Sequence, residues 1–172
     1  MKKNILIFGS LSGLIVSIMI VFTAIQCYHN GDFSGNMLMG YTFMLLAFSF
    51  VFVGIKNYRD KFNNGLITFG KAFKIGILIA AVGSTFYVIS WLIAYYFFVP
   101  DFMDKLAEYT ITNAKNTARN AAEVAEKVAE MESFKAMYKN PLLVILFTYL
   151  EVFPVGLIVS VISALVLRKK PL

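Results

Sequence analysis

The sequence has few of the residues from which most catalytic and metal sites are built. Its 172 residues include one cysteine, Cys27, and one histidine, His29. A single cysteine excludes an intrachain disulfide and a cysteine-based metal site, and we interpret His29 as a solvated loop residue. The sequence also lacks a Walker-type phosphate loop and any Ser/His/Asp or Cys/His set. We therefore expect no enzymatic activity, no metal and no cofactor.

Charge is scarce as well. Charged residues make up 15% of the chain and hydrophobic residues 59%, and the mean hydropathy is +0.71. Soluble domains carry about 25% charged residues, so this composition indicates a membrane protein surrounded by a lipid bilayer. The net charge of +6 does not indicate nucleic-acid binding. The basic residues cluster at the ends of apolar runs, where they set membrane topology.

Four apolar runs are long enough to cross a bilayer, which takes about 20 residues. We interpret the first as an uncleaved span, because it is longer than the apolar region of a signal peptide and no small-residue cleavage pattern follows it. The predicted fold is an all-α membrane protein, a single membrane domain over residues 1–172. Its four transmembrane helices are predicted at about residues 5–27, 37–55, 72–99 and 141–167.

A polar, alanine-rich segment, residues 100–140, separates the third span from the fourth. Apolar side chains recur there at steps of three and four, which is the helical period, and Ala, Glu and Lys favour helix. We expect one long amphipathic helix, or two helices with a break near Thr110–Thr112. The apolar stripe is mostly alanine and therefore shallow, which suits packing on a partner helix better than anchoring in lipid.

The distribution of Lys and Arg predicts the orientation. With four spans, ten basic residues fall on one side of the membrane together with one acid, Asp60. Short basic loops stay in the cytoplasm. Both termini and the loop between the second and third spans are therefore expected there, and the 100–140 segment is an extracytoplasmic insertion. The ten residues are Lys2, Lys3, Lys56, Arg59, Lys61, Lys71, Lys74, Arg168, Lys169 and Lys170.

Three of the spans carry small residues at helical spacing. Such stripes let a neighbouring helix approach closely in a membrane, so we expect them at helix–helix interfaces. They are Gly9, Gly13 and Ser17 in the first span, Gly76, Ala80 and Ser84 in the third, and Gly156, Ser160, Ser163 and Ala164 in the fourth.

The fourth span contains one acid, Glu151, followed by Pro154. At about 1.5 Å per residue, Glu151 lies roughly 15 Å along the helix from Pro141, near the middle of a hydrocarbon layer of about 30 Å. An acid there costs about 2.5–3.5 kcal/mol, and no span offers Lys or Arg at a matching depth. We therefore expect Glu151 to be protonated or to face a watery crevice.

Neutral partners for Glu151 are available at plausible depth on the second and third spans. They are Tyr41, Thr42, Ser84, Thr85 and Tyr87. Pro154 creates a second group that needs a hydrogen bond. Because proline lacks an N–H, the carbonyl of Leu150 loses its helical donor. We identify Glu151, Pro154, Tyr87 and Thr85 as the candidate intramembrane site. Its role is either structural, joining helices, or functional, handling an ion, a proton or a ligand.

Glu151 and the small-residue face at Ser160 lie on opposite sides of the fourth helix, since ideal helical rotation separates them by about 180°. Both faces are unsuited to lipid. We expect either that the helix is enclosed by its own protein, or that one face contacts a second copy in a homodimer or another membrane protein.

Several motifs in order resemble a bacterial family of four-span membrane proteins that is classed only as a domain of unknown function. The resemblance covers nearly the whole chain and implies the architecture and a location in the cell inner membrane, with no activity, cofactor or substrate. The motifs are Phe52-Val53-Gly54-Ile55-Lys56, Tyr58-Arg59-Asp60, Ile67-Thr68-Phe69-Gly70-Lys71-Ala72-Phe73, Tyr87-Val88-Ile89, Tyr138-Lys139-Asn140-Pro141 and Glu151 with Pro154 and Gly156-Leu157-Ile158.

Two functions remain open at the level of sequence. The first is an interaction or scaffold protein that uses the outer helical segment. The alternative is a small transporter or an ion- or proton-coupled protein that uses Glu151. An intramembrane enzyme is disfavoured, because the spans hold one strong acid–base group.

Overall fold

The structure is a computed structural model that describes residues 1–34, 37–118 and 120–169. Lys170, one of the ten basic residues of the predicted cytoplasmic side, lies outside these ranges. Six α-helices and one π-helical turn occur in the described part of the chain. They are α1 (Lys2–Asn30), α2 (Met37–Phe62), α3 (Phe69–Ile93), the π-helical turn (Ala94–Phe98), α4 (Phe102–Thr117), α5 (Ala121–Tyr138) and α6 (Pro141–Leu167).

Four of these helices, α1, α2, α3 with its π-helical turn, and α6, are long and apolar enough to cross a membrane. The predicted all-α membrane fold with a helical insertion between the third and fourth long helices is therefore confirmed. The long helices extend beyond the apolar runs. In particular, α1 continues through His29 to Asn30, and α2 continues past Ile55 to Phe62. The chain thus leaves both α1 and α2 with polar residues still in helical conformation.

α3 is the central helix of the bundle and packs most extensively against α1 and α6. α2 packs against α1 and α6 and makes a smaller contact with α3. The interior is filled by large apolar side chains that are fully buried, among them Phe48, Ile55, Ile75 and Ile79. This close filling leaves the outward faces of the four helices as the surface that meets the membrane.

Glycines bring the helices close together, as the small-residue stripes predict. A Cβ placed on Gly9 would lie 2.7 Å from the Cβ of Val82, and one on Gly13 would lie 2.6 Å from the Cβ of Phe86. A Cβ on Gly156 of α6 would lie 2.8 Å from that of Ala80. Carbon atoms do not approach so closely without displacement, so α1 and α6 both contact α3 at positions that only glycine permits.

Hydrogen bonds fix both chain ends and the α2–α3 loop at one end of the bundle. The Asn4 side-chain amide donates to the carbonyl of Gly54 at 2.9 Å. Ile67, in the loop, exchanges two backbone hydrogen bonds of 2.9 and 2.8 Å with Lys169, which follows α6. The described basic residues of the predicted cytoplasmic side therefore share one end of the molecule.

The outer segment consists of two helices, α4 and α5, that form a hairpin. α4 ends at Thr117 and α5 begins at Ala121, so the break predicted near Thr110–Thr112 is wrong in position. The Asn120 side chain accepts a 2.9 Å hydrogen bond from the backbone N–H of Glu123 and starts α5 as an N-cap. An ion pair between Lys135 and Asp104 links the two helices near the bundle.

An aromatic cluster, which we call the aromatic base, joins this hairpin to the long helices. Phe102 of α4 packs edge-on against Trp91 of α3, with ring centroids 5.1 Å apart. Tyr138 of α5 contacts Tyr95 at 5.7 Å and stacks on Phe147 of α6 at 6.4 Å. The hairpin therefore rests on the bundle through rings contributed by α3 and α6.

Candidate functional site

The end of α5 and the start of α6 define the position of the candidate site along the membrane. The Asn140 side chain accepts a 3.0 Å hydrogen bond from the backbone N–H of Leu142, and Pro141 occupies the first turn. α6 thus begins at Pro141 and ends at Leu167, the bounds predicted from sequence. Glu151 lies roughly 15 Å from the first residue and roughly 24 Å from the last.

α6 has one buried face and one exposed face. Residues of the buried face recur every three or four positions and pack on α2 and α3, whereas the exposed face is left uncovered by the part of the chain that the structure describes. Buried residues are Val144, Thr148, Val152, Gly156, Ser160, Ser163, Ala164 and Leu167. Exposed residues include Leu142, Leu146, Leu150, Glu151, Pro154, Ile158 and Ile162. The candidate carboxyl therefore belongs to the surface of the bundle.

Tyr87 reaches Glu151 from inside the bundle. Its hydroxyl donates a 3.2 Å hydrogen bond to Oε1 of Glu151, and the Tyr87 side chain is 3% exposed. Among the described residues, Tyr87 is the one hydrogen-bond partner of this carboxyl. One carboxyl oxygen is thus held by the third span, and Glu151 as a residue is exposed at the bundle surface, as are Leu150 and Pro154.

The structure separates Thr85 from the other candidate residues. The Thr85 hydroxyl lies 2.7 Å from the Tyr149 hydroxyl and donates to the carbonyl of Ala81 at 2.8 Å. It joins α3 to α6 on a different side of α6 from Glu151. Sequence reasoning grouped Thr85 with Glu151 because both lie at a similar depth, and depth alone does not define the helix face.

The other neutral partners considered from sequence also lie elsewhere. Thr42 donates to the carbonyl of Leu38 at 2.7 Å within its own helix. Ser84 is fully buried, and its hydroxyl has no hydrogen-bond partner among the described residues. Tyr41 is 46% exposed on the outward side of α2. Of the five side chains considered, Tyr87 is the one that the structure places on Glu151.

α6 is not enclosed by its own chain. In its most apolar stretch 22% of the residues are buried, against 44% for α3. The expectation that the rest of this protein surrounds the fourth helix is therefore wrong for the described residues. The physical reason is that α6 occupies a corner of the bundle, with α2 and α3 as its neighbours. The second expectation, contact with another protein, stays a prediction.

A polar cavity of about 440 Å³ lies where α1 meets the hairpin. Lys105 lines this cavity, and its Nζ lies 3.6 Å from the centre of the Tyr28 ring and 3.3 Å from the Tyr28 carbonyl oxygen. The Tyr28 hydroxyl donates to Asp101 at 3.0 Å. His29 and Glu108 also line the cavity. Sequence reasoning missed this cavity and placed His29 in a loop, because α1 was expected to end before it.

Among the groups outside the spans, Asp32 and Tyr138 have shifted pKa values. The pKa of Asp32 is lowered because its carboxylate accepts hydrogen bonds from Ser34, including a 2.8 Å bond from the backbone N–H. Burial in the aromatic base raises the pKa of Tyr138 to about 12. Tyr138 therefore stays a neutral hydroxyl at physiological pH and acts there as a packing and hydrogen-bonding group.

The described residues do not contain a group of three or more His, Cys, Asp or Glu side chains that could hold a metal ion. Tyr41 and Tyr138 lie close enough to act on Tyr87 electrostatically. The groups in direct contact at the candidate site are one carboxyl and one phenol, Glu151 and Tyr87. Such a pair can share a proton and join two helices.

Comparison with known proteins places the chain in a family. Residues 7–169 match the family described as Protein of unknown function (DUF4199). The chain belongs to this family. The match covers nearly all of the described chain, from α1 to the residues after α6, and so includes both the bundle and the hairpin. No curated protein and no solved structure matches the chain, so this DUF4199 protein takes no activity from a relative.

Proposed function

We propose that this DUF4199 protein is a non-enzymatic, multi-pass protein of the cell inner membrane that binds a partner protein through its α4–α5 hairpin. The observation that carries the proposal is the exposure of α5. Of the 18 residues from Ala121 to Tyr138, Met131 is the buried one. A helix that contributes so little to its own fold is available for contact with another molecule.

The chemistry of α5 supports a protein partner. Its outward surface combines small side chains, such as Ala125 and Ala129, with the charges of Glu126, Lys127 and Glu130. Small side chains allow a second helix to come close, and charges beside them select its register and orientation. Lys127 and Glu130 already form an ion pair with each other, so the surface is mixed in sign and does not favour nucleic acid.

The aromatic base supports the same function mechanically. It fixes residues at the foot of the hairpin, Phe102 and Tyr138, to the bundle. Residues around Thr117 and Asn120 lie at the other end, away from these contacts. The hairpin is therefore held at one end and presents its free end to solution, as a binding module on a membrane anchor requires.

A photo-crosslinking experiment tests this proposal. A crosslinking amino acid at the exposed Ala129 should capture a defined protein in cells, whereas the same group at the buried Met131 should not. The double substitution Glu126→Lys and Glu130→Lys should abolish the captured band while leaving the amount of membrane-inserted protein unchanged. Equal capture from both positions, or capture that survives the charge reversal, would contradict a specific hairpin interface.

The orientation belongs to the same proposal. We place both termini in the cytoplasm and the hairpin outside, because the basic residues share one end of the bundle and short basic loops stay inside. In a Cys27→Ser background, Ala118→Cys should react with an impermeant maleimide in right-side-out vesicles, and Asn63→Cys should react only after the membrane is opened. The reverse pattern would overturn the orientation and move the hairpin into the cytoplasm.

A second candidate function is a proton- or ion-coupled role for Glu151. It is favoured by the 3.2 Å contact between the Tyr87 hydroxyl and the carboxyl, which gives a titratable group at mid-membrane a proton-sharing neighbour. Glu151→Gln tests it in reconstituted vesicles that contain a pH dye. A proton flux that depends on Glu151 would support coupling, and identical flux in wild type, Gln variant and empty vesicles would exclude it.

A further inference from the structure

The exposed face of α6 carries a hydrogen-bond donor that lacks a partner among the described residues. Glu151 lies inside the membrane-spanning length and is exposed at the bundle surface. Hydrocarbon strongly disfavours the ionised carboxylate, so the group is a neutral acid there. Oε1 accepts from Tyr87, which leaves the acid O–H on the second oxygen. No other described residue hydrogen-bonds to it.

The same face also carries an acceptor. Pro154 has no N–H to give to the carbonyl of Leu150, the residue four positions earlier. Leu150 is 59% exposed, and it directly precedes Glu151. A backbone carbonyl without its helical donor is costly in hydrocarbon, where water cannot replace the bond. Donor and acceptor therefore belong to consecutive residues of α6, and both residues are exposed at the bundle surface.

We propose that two copies of this protein associate through this face of α6, with each Glu151 acid donating to the carbonyl of the partner's Leu150. The pair of groups is self-complementary, which is the condition for a two-fold symmetric interface. Two copies inserted in the same direction hold both groups at the same depth. The site is thus completed only when a second copy is present.

A second copy fits the observations better than a spanning helix with a basic residue. A Lys or Arg would neutralise an ionised Glu151. It would satisfy the Leu150 carbonyl as well only if the same side chain donated hydrogen bonds to both groups. A second copy satisfies the donor and the acceptor with groups that this chain itself carries, Glu151 and the carbonyl of Leu150. It also covers the helix that the chain leaves most open, since α6 has 22% of its apolar stretch buried.

Association can be measured with the full chain in lipid vesicles. Dye-labelled protein is diluted with lipid, and the fraction of dimers is counted by single-molecule photobleaching. We expect the wild type to form dimers that dissociate as the lipid fraction rises. Wild-type protein that stays monomeric at every lipid ratio, with the fold intact by circular dichroism, would overturn the proposal and leave a different membrane protein as the occupant.

Three substitutions separate the hydrogen bonds from general packing. Glu151→Gln keeps a donor and an acceptor, so its dimer dissociation constant should stay within about threefold of that of the wild type. Glu151→Leu should raise the dissociation constant about tenfold. Pro154→Ala returns the helical donor to the Leu150 carbonyl, so it should stabilise each monomer and still weaken the dimer. If Glu151→Leu and Pro154→Ala both associate like wild type, the proposed bonds do not exist.

Cross-linking locates the interface independently of these substitutions. In a Cys27→Ser background, Ile158→Cys on the exposed face of α6 should form a disulfide between copies. Ile18→Cys on the exposed face of α1 is the matched control, since its native side chain is 70% exposed and that of Ile158 is 57%. Cross-linking through residue 18 without cross-linking through residue 158 would place the dimer on another face and reject the proposal.

Discussion

The bundle and the hairpin are both helical, but different interactions hold them. In the bundle, helices meet at glycines such as Gly13 and Gly156, where an added Cβ would collide with its neighbour. In the hairpin, the ion pair between Lys135 and Asp104 links α4 to α5, and rings of the aromatic base attach both helices to the bundle. Close contacts at glycine therefore determine how the helices of the bundle pack, whereas the hairpin is attached to the bundle at one end and free at the other.

The largest expected effect is a break in the bundle. Gly13→Leu places a large side chain where the Cβ alone would lie 2.6 Å from that of Phe86, so we expect a loss of about 3 kcal/mol or more. Gly40→Leu is the control, because nothing lies within 4 Å of a Cβ there. Thermal unfolding in detergent should separate the two variants. Equal melting temperatures would show that close contact at glycine does not hold α1 on α3.

The next effect should fall on the hairpin alone. Phe102→Ala removes a ring that contacts Trp91 and Phe33, and we expect a local loss of about 2 kcal/mol. Hydrogen exchange should then accelerate in α4 and α5 and stay unchanged in α1 and α3. Faster exchange throughout the bundle would mean that the hairpin and the bundle unfold as one unit. The two regions would then not differ in how they are held together.

A smaller effect is expected from a polar contact inside the bundle. Asn4 is 5% exposed and donates to the Gly54 carbonyl at 2.9 Å. Asn4→Leu should cost about 1 kcal/mol, since a single side-chain hydrogen bond in a membrane protein contributes about that much. Unfolding in mixed detergent by a denaturing surfactant measures the loss. No loss would indicate that apolar packing alone joins α1 to α2.

The smallest effect should come from the ion pair of the hairpin. Asp104→Asn removes the partner of Lys135, and both side chains are well exposed. We therefore expect the hairpin to lose about 0.5 kcal/mol or less of stability, and its stability in the variant not to depend on salt. Exchange rates of α5 at low and high salt give the measurement. A loss as large as that of Phe102→Ala would place the stability of the hairpin in charge pairing and not in the aromatic base.

Much of the bundle could be predicted from sequence because its determinants are local. The apolar runs indicated the four long helices, and the small-residue stripes indicated where helices touch, as Gly9 and Gly156 show. The break of the hairpin between Thr117 and Ala121 could not be read in this way. The segment around Thr110–Thr112 has weaker helix formers, but packing of α4 on α5 carries the helix through it.

The candidate site was only partly predictable. Depth along the helix identified Tyr87 among five partners, but it equally suggested Thr85, which contacts Tyr149 on another side of α6. Which helix face points outward depends on neighbours far away in sequence, so the exposure of Glu151 could not be deduced from its own helix. The cavity beside Tyr28 was missed for the same reason, because it requires α4 to fold back over α1.

The bridge between Ile67 and Lys169 has a consequence for the order of synthesis. α1, α2 and α3 leave the ribosome well before α6, so the loop that carries Ile67 waits for its partner while the intervening residues are made. During that interval the face of α3 that binds α6, including Gly76 and Ala80, lacks α6 as its neighbour. Translation pauses between residues 98 and 141 should therefore lengthen the exposure of this face and increase degradation of the nascent protein.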